Sequence, residues 1–179
     1  LVRKLEQRYQ YLQSPNESEG DPPPPVVITI LGGSVTAGVG CATGIPRIRN
    51  ERCAWPTRFE QFVNKLAKST LRSHADDDDE DLNLITVHTL AVGGTNTATG
   101  QAVLEYDILS KDASNPDILI NAYSTNDMHV LTLNEAAGSN MTIRDKVFSM
   151  SQDFVRTVLK CRSRPVLPWL DDYIGNEQR

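Results

Sequence analysis

No stretch of this sequence gathers lysine and arginine into a cluster, and the formal net charge is -5 with an isoelectric point near 5.2. That balance argues against a nucleic-acid surface, because neutralising phosphates requires clustered cations. Long apolar runs are also missing. None approaches the roughly 18 to 20 residues that a membrane-crossing helix needs, so no membrane span is expected. Histidine and cysteine are scarce, with three of each. Neither phosphate-cradle pattern occurs, since the glycines follow neither G-x-G-x-x-G nor the lysine-bearing spacing. What remains is a chain of 179 residues with 39% hydrophobic content, enough for one globular domain with a sizeable core. It opens at Leu1 without Met and stops at Gln178 and Arg179 just after an apparent strand, which reads as a fragment or a processed product.

The stretch that organises the rest is Val26 to Gly44, VVITILGGSVTAGVGCATG. Val26 to Leu31 is a continuous run rich in β-branched residues, the pattern of a strand buried on both faces of a parallel sheet. Gly32 and Gly33 end it, and Ser34 follows at the C-terminal end of the strand, where open α/β sheets place their ligands. The α/β-hydrolase elbow G-x-S-x-G would need glycine at position 36, which is Thr36. Two readings of Ser34 stay open at this point. One is a nucleophile exposed on a tight turn, and the other is a polar residue that caps the next segment.

Along the chain, Val2, Leu5, Tyr9 and Leu12 share a helical face, so residues 1–13 are expected to be helical. Residues 14–25 (SPNESEGDPPPP) read as a proline-rich linker, which makes 1–25 an N-terminal helix plus linker and 26–179 the domain. Trp55-Pro56 opens a helix whose apolar stripe is Phe59, Phe62, Val63 and Leu66, expected to face the core. Asp76 to Asp81 (DDDDED) lacks the alternating spacing of a calcium loop and reads as a solvated loop. Leu82 to Leu90 is a second strand ending in AVGGTNT, and Ala98 to Leu109 a helix with Val103, Tyr106 and Leu109 in its stripe. Asp117 to Ala122 is a third strand ending in YSTND. A helix over 142–160 is opened by Thr142 with Asp145 as a variant capping box, and Val166 to Leu170 looks like a fourth strand. This alternation predicts a parallel sheet with helices on both faces.

Cys41 and Cys53 share one loop, twelve residues apart, while Cys161 stands alone. Read from the cysteines, the pair is either a bridge or two free thiols. In an oxidising compartment the bridge is expected, with Cα atoms about 4.4 to 6.8 Å apart and Cys161 unpaired. Asn16-Glu17-Ser18 and Asn140-Met141-Thr142 are glycosylation acceptors if the chain enters the secretory route, and a secreted or luminal setting is the expectation.

Three strands thus end in small or amide-bearing segments: GGS at 32–34, GG at 93–94 and STND at 124–127. In a parallel sheet these ends share one edge, so Ser34, Gly94 and Asn126 can converge. In order and position the blocks GGSVTAG, AVGGTNT and STND resemble the SGNH, or GDSL-like, hydrolases over roughly 26–170. The resemblance implies a three-layer α/β/α sandwich with a parallel, flavodoxin-like sheet, here ending after its fourth strand. It also implies a serine esterase that works through an acyl-serine intermediate on a small-molecule or carbohydrate ester, with no cofactor or metal. Carried over, Ser34 is the nucleophile, and the N–H groups of Ser34 and Gly94 with the Asn126 amide form the oxyanion hole. A noncatalytic binding domain and an O-acyltransferase are the alternatives on the same residues. The family's aspartate in GDS is Gly33 here, its glycine in G-x-N-D is Ser124, and its C-terminal D-x-x-H block does not occur. His74 and His88 read as structural or solvated. His129, three residues beyond Asn126, reads as surface or pocket-lining rather than as the base.

Overall fold

Val26–Gly32 (β1) is the middle strand of a parallel sheet, and the computed structural model shows why its residues are apolar apart from Thr29. The model describes residues 1–14, 21–41, 51–71, 83–127 and 142–171. Ile85–Ala91 (β2) and Ile118–Ala122 (β3) flank β1, giving the order β2-β1-β3. Alternate residues of β1 point to opposite faces. Val26, Ile28 and Ile30 enter one core cluster with Ile85 and Ala122, against Phe59 and Val63 of the helix Trp55–Leu71 (α2). Leu31 enters the other, with Val103 of the helix Thr97–Glu105 (α3), Leu119, Tyr123, and Phe154 and Val158 of the helix Ile143–Leu159 (α4). Helices therefore cover both faces, and the expected three-layer α/β/α arrangement is present.

The helix Val2–Gln13 (α1) closes the starting edge of the sheet. Leu12 is buried, and so is Arg8, whose guanidinium donates to the carbonyls of Asn83 and Pro23 at 2.9 and 2.6 Å. Lys4 pairs with Asp117, and the same carboxylate oxygen accepts the Val27 N–H at 2.8 Å. The buried cation is satisfied by backbone acceptors, which is the condition for such burial.

Several elements differ from their sequence reading. In α2 the core-facing set is Pro56, Phe59, Val63 and Ala67, whereas Phe62 and Leu66 are 65% and 55% exposed. A stripe needs only about 100° of helix surface, and residues 62 and 66 lie on the neighbouring arc. The second strand begins at Ile85 rather than Leu82. The third helix stops at Glu105, because Asp107 takes a left-handed conformation (φ 50°), and this leaves Tyr106 outside the stripe and 76% exposed. Thr142 does cap α4, accepting the Asp145 N–H at 3.2 Å and donating to the Asp145 carboxylate at 2.7 Å.

Val166–Leu170 runs parallel to β3 but makes only isolated bridges, at Ile118 with Val166 and at Asn121 with Trp169. Its backbone bonds are those of a ladder: Val166 N–H to Asp117 O, Leu119 N–H to Val166 O, Asn121 N–H to Pro168 O and Leu170 N–H to Asn121 O. Pro168 has no N–H to give, so the ladder is interrupted where a regular strand would continue.

Candidate active site

Register decides what meets at the C-terminal edge of the sheet. Gly32 pairs with Ala91 on one side and with Ala122 on the other, so all three strands end level. Adjacent strands lie about 4.8 Å apart, and the three following turns therefore start side by side. The Val92 N–H donates to Gly32 O at 3.1 Å, which extends the β1–β2 pairing into the turns. The chain passes from β1 to β2 on one flank and later to β3 on the other, so the order reverses between β1 and β3. Such a reversal is where open α/β sheets form their ligand crevice.

The turn after β1 is wound by Ala37 N–H to Gly33 O (3.0 Å) and Val39 N–H to Ser34 O (2.9 Å), with Ser34 in its first, partly buried position. Thr36 is fully buried, and its hydroxyl donates to Ala122 O at 3.3 Å. A Cβ on Gly32 would lie 2.3 Å from the Thr36 hydroxyl oxygen, so Gly32 is glycine because Thr36 sits against its Cα. Position 36, which rules out a hydrolase elbow in the sequence, thus anchors the turn under the strand end.

Asn126 is brought to the same turn. A Cβ on Gly33 would lie 2.2 Å from Asn126 Nδ2, which puts the amide directly on the backbone of the residue before Ser34. The second turn approaches from the other side: a Cβ on Gly93 would be 3.7 Å from Ser34 Cβ. Gly94 follows with φ 79°, a left-handed conformation that favours glycine. Among the described residues, the N–H groups of Ser34 and Gly94 and the Ser34 hydroxyl make no hydrogen bond.

The second and third turns are tied together. Asn126 Nδ2 donates to Thr95 O at 2.6 Å. Asp127, 3% exposed, accepts the Thr97 N–H on one carboxylate oxygen and the Thr97 hydroxyl on the other, each at 2.7 Å. Asn121 Nδ2 donates to the Thr97 hydroxyl oxygen at 3.0 Å, and its carbonyl accepts the Tyr123 N–H at 3.2 Å. Burial pushes the Tyr123 phenol up to about 12, with the Asp127 charge adding to the rise and a hydrogen bond with the Thr95 side chain opposing it. The blocks AVGGTNT and STND contain Thr97 and Asp127, but the sequence assigns neither a role. The available signal was an acid at the end of one strand and a hydroxyl residue opening the helix after the next.

His88 lies on β2 opposite Thr29, three residues before the strand end, about 10 Å down the strand from the site edge. His74, His129, the acidic run at 76–81, Asn16 and Asn140 lie outside the described residues. Cys41 and Cys53 form a disulfide with Cα atoms 5.9 Å apart, and Cys161 is free, as expected. The bridge ties the end of the Ser34 turn to the segment that leads into α2. Among the described residues no helix is long and apolar enough to cross a membrane.

No protein-family model and no curated protein matches the chain. Solved structures do. A point mutant of the esterase AlinE4 superposes with a TM-score of 0.50 at 18% identity, over 85% of this chain and 60% of that one. AlinE4 itself, an SGNH-hydrolase family esterase, gives 0.48 at 20% identity over 84% and 60%. The lipase Lip_vut3 from a goat rumen metagenome gives 0.48 at 16% identity over 80% and 62%. At these identities the likeness is one of fold: the chain has the α/β fold of the SGNH hydrolases and spans 60% of the length of the first of these esterases.

Proposed function

We propose that this chain, having the SGNH-hydrolase fold, is the serine-bearing part of an esterase that cleaves a small acyl or acetyl ester. The observation that carries the reading is the Asn126 amide lying against Gly33, one residue from Ser34, at the reversal point of the sheet. In this reading the Ser34 oxygen attacks the ester carbonyl carbon and gives its proton to a general base. The negative charge that develops on the carbonyl oxygen is received by the N–H groups of Ser34 and Gly94 and by the Asn126 amide. These donors stabilise it without adding a titrating charge, and each is worth a factor of about 10² to 10³ in turnover. Collapse expels the alcohol, and water then hydrolyses the acyl-Ser34. The base is a histidine from a D-x-x-H block that residues 1–179 do not contain.

A fluorophosphonate probe on the full-length protein is expected to label Ser34, with labelling and hydrolysis of p-nitrophenyl acetate both lost in Ser34→Ala. Unlabelled Ser34 in a folded, full-length protein overturns the reading in favour of a binding domain. The setting we propose is an oxidising, secretory one, supported by the Cys41–Cys53 bridge. Thiol labelling of protein from its native source should find one reactive cysteine, and three would count against it.

A further inference from the structure

Between the two turns that flank Ser34 stands a buried carboxylate that the chemistry above does not use. Asp127 places one oxygen on the N–H of Thr97 and the other on its hydroxyl, at 2.7 Å each. Thr97 opens α3, three residues after Gly94, and Asp127 immediately follows Asn126. The clamp therefore joins the chain segments that carry the two donors outside the Ser34 turn. The bond from Asn126 Nδ2 to Thr95 O closes a second link beside it. That bond uses one of the two amide hydrogens and leaves the other as a donor.

The proton order in the cluster is fixed. The Thr97 hydroxyl donates to Asp127, so it can only accept from Asn121, whose Nδ2 is 3.0 Å away. Asn121 is then held with its carbonyl on the Tyr123 N–H, and the Asn126 and Asp127 N–H groups both donate to Tyr123 O at 2.8 Å. A charged acceptor at the N-terminus of α3 also meets the positive end of the helix dipole. Charge-assisted bonds of this kind are the strong ones, and here they are shielded from water.

We propose that Asp127 is a positioning residue that holds the Asn126 amide and the Gly94 N–H in one fixed frame around Ser34. This rests on the reading of Ser34, Gly94 and Asn126 as an ester-cleaving site. The frame matters because a displacement of about 1 Å in a catalytic group can cost about 10²-fold in rate.

The test uses the full-length protein. Asp127→Asn keeps the shape and an acceptor for the Thr97 N–H, and the Thr97 proton can turn to the Asn121 carbonyl, 3.4 Å away. Its kcat on p-nitrophenyl acetate is expected to fall about 10²-fold with KM within about twofold, and the Asn126 side-chain amide resonances to shift or broaden. Combined with Asn126→Ala, the loss should be smaller than the product of the two single losses, as for groups that act through one another. Thr97→Val should reproduce the defect and Thr97→Ser should restore activity, which serves if Asp127→Asn does not fold. Unchanged kcat and unchanged Asn126 resonances overturn the proposal, as does a double loss equal to the product. If Ser34→Ala leaves hydrolysis intact, it is the esterase reading that fails, and the Asn126 resonances alone then decide whether Asp127 positions the amide.

Discussion

At the scale of single residues, the sharpest constraint is the missing Cβ at position 33. Gly33→Ala would put a carbon 2.2 Å from Asn126 Nδ2 and 2.6 Å from its Cγ, well inside van der Waals contact. Either the amide or the turn must move. If the chain acts as proposed, Gly33→Ala is expected to lower turnover of p-nitrophenyl acetate by the full-length protein about 10²-fold, measured beside a circular-dichroism spectrum that stays native. The same contact gives a local reason for glycine where the resembling family carries aspartate. Tyr123 supports a second expectation. Its phenol is pushed from 10.0 to about 12, chiefly by burial, so the folded state favours the protonated form. A raised pKa of this kind contributes stability that is complete below pH 10 and fades as pH rises toward about 12. The contribution is at most about 3 kcal/mol. The thermal midpoint should therefore fall more steeply above pH 10 in the parent than in Tyr123→Phe, and equal slopes would show that the phenol titrates normally.

At the scale of elements, α3 contains a glycine that helix propensity alone would replace. Gly100→Ala should add up to about 1 kcal/mol in an open helix. Here the new carbon would fall 2.6 Å from the Tyr123 ring and 3.3 Å from that of Phe154. Overpacking costs about 1 to 3 kcal/mol, so the sign reverses and Gly100→Ala is expected to lower the denaturant midpoint. This close approach lies beyond what the sequence displays, whereas other features are plain in it. The Val26–Leu31 run is legible because burial on both faces removes every polar residue except Thr29, whose hydroxyl donates to Ala113 O. The Thr142 cap is legible because its partner is three residues away. The core face of α2 was misread at Phe62 and Leu66, since four apolar residues in a row of helical turns do not say which arc faces inward. The site edge follows the same division: the three strand ends and their order can be read from sequence, but the bonds from Asp127 to Thr97 span 30 residues and depend on the level register of β2 and β3.

At the scale of the whole molecule, the proposed reaction needs a base within hydrogen-bond reach of Ser34. His88, the one histidine among the described residues, lies half-buried within the strand rather than at its end. Residues 1–179 alone are expected to hydrolyse p-nitrophenyl acetate barely above background, with only the small rate that oxyanion donors leave without a triad. The full-length protein should be active and lose that activity on Ser34→Ala. Full activity from residues 1–179, abolished by His129→Ala, would show the base to be local. The opposite edge of the sheet has a different consequence. Lys4 and Arg8 of α1 find partners 113 and 75 residues further along, at Asp117 and Asn83, and those groups come together only once the strand starts are aligned. The loop-closure entropy of contacts so far apart in sequence must be offset before they contribute, so they are expected to form late. The helix that precedes the sheet in the chain is thus expected to be a closing clasp in the order of folding, and in pulse-labelled refolding its amides should gain protection after those of β1.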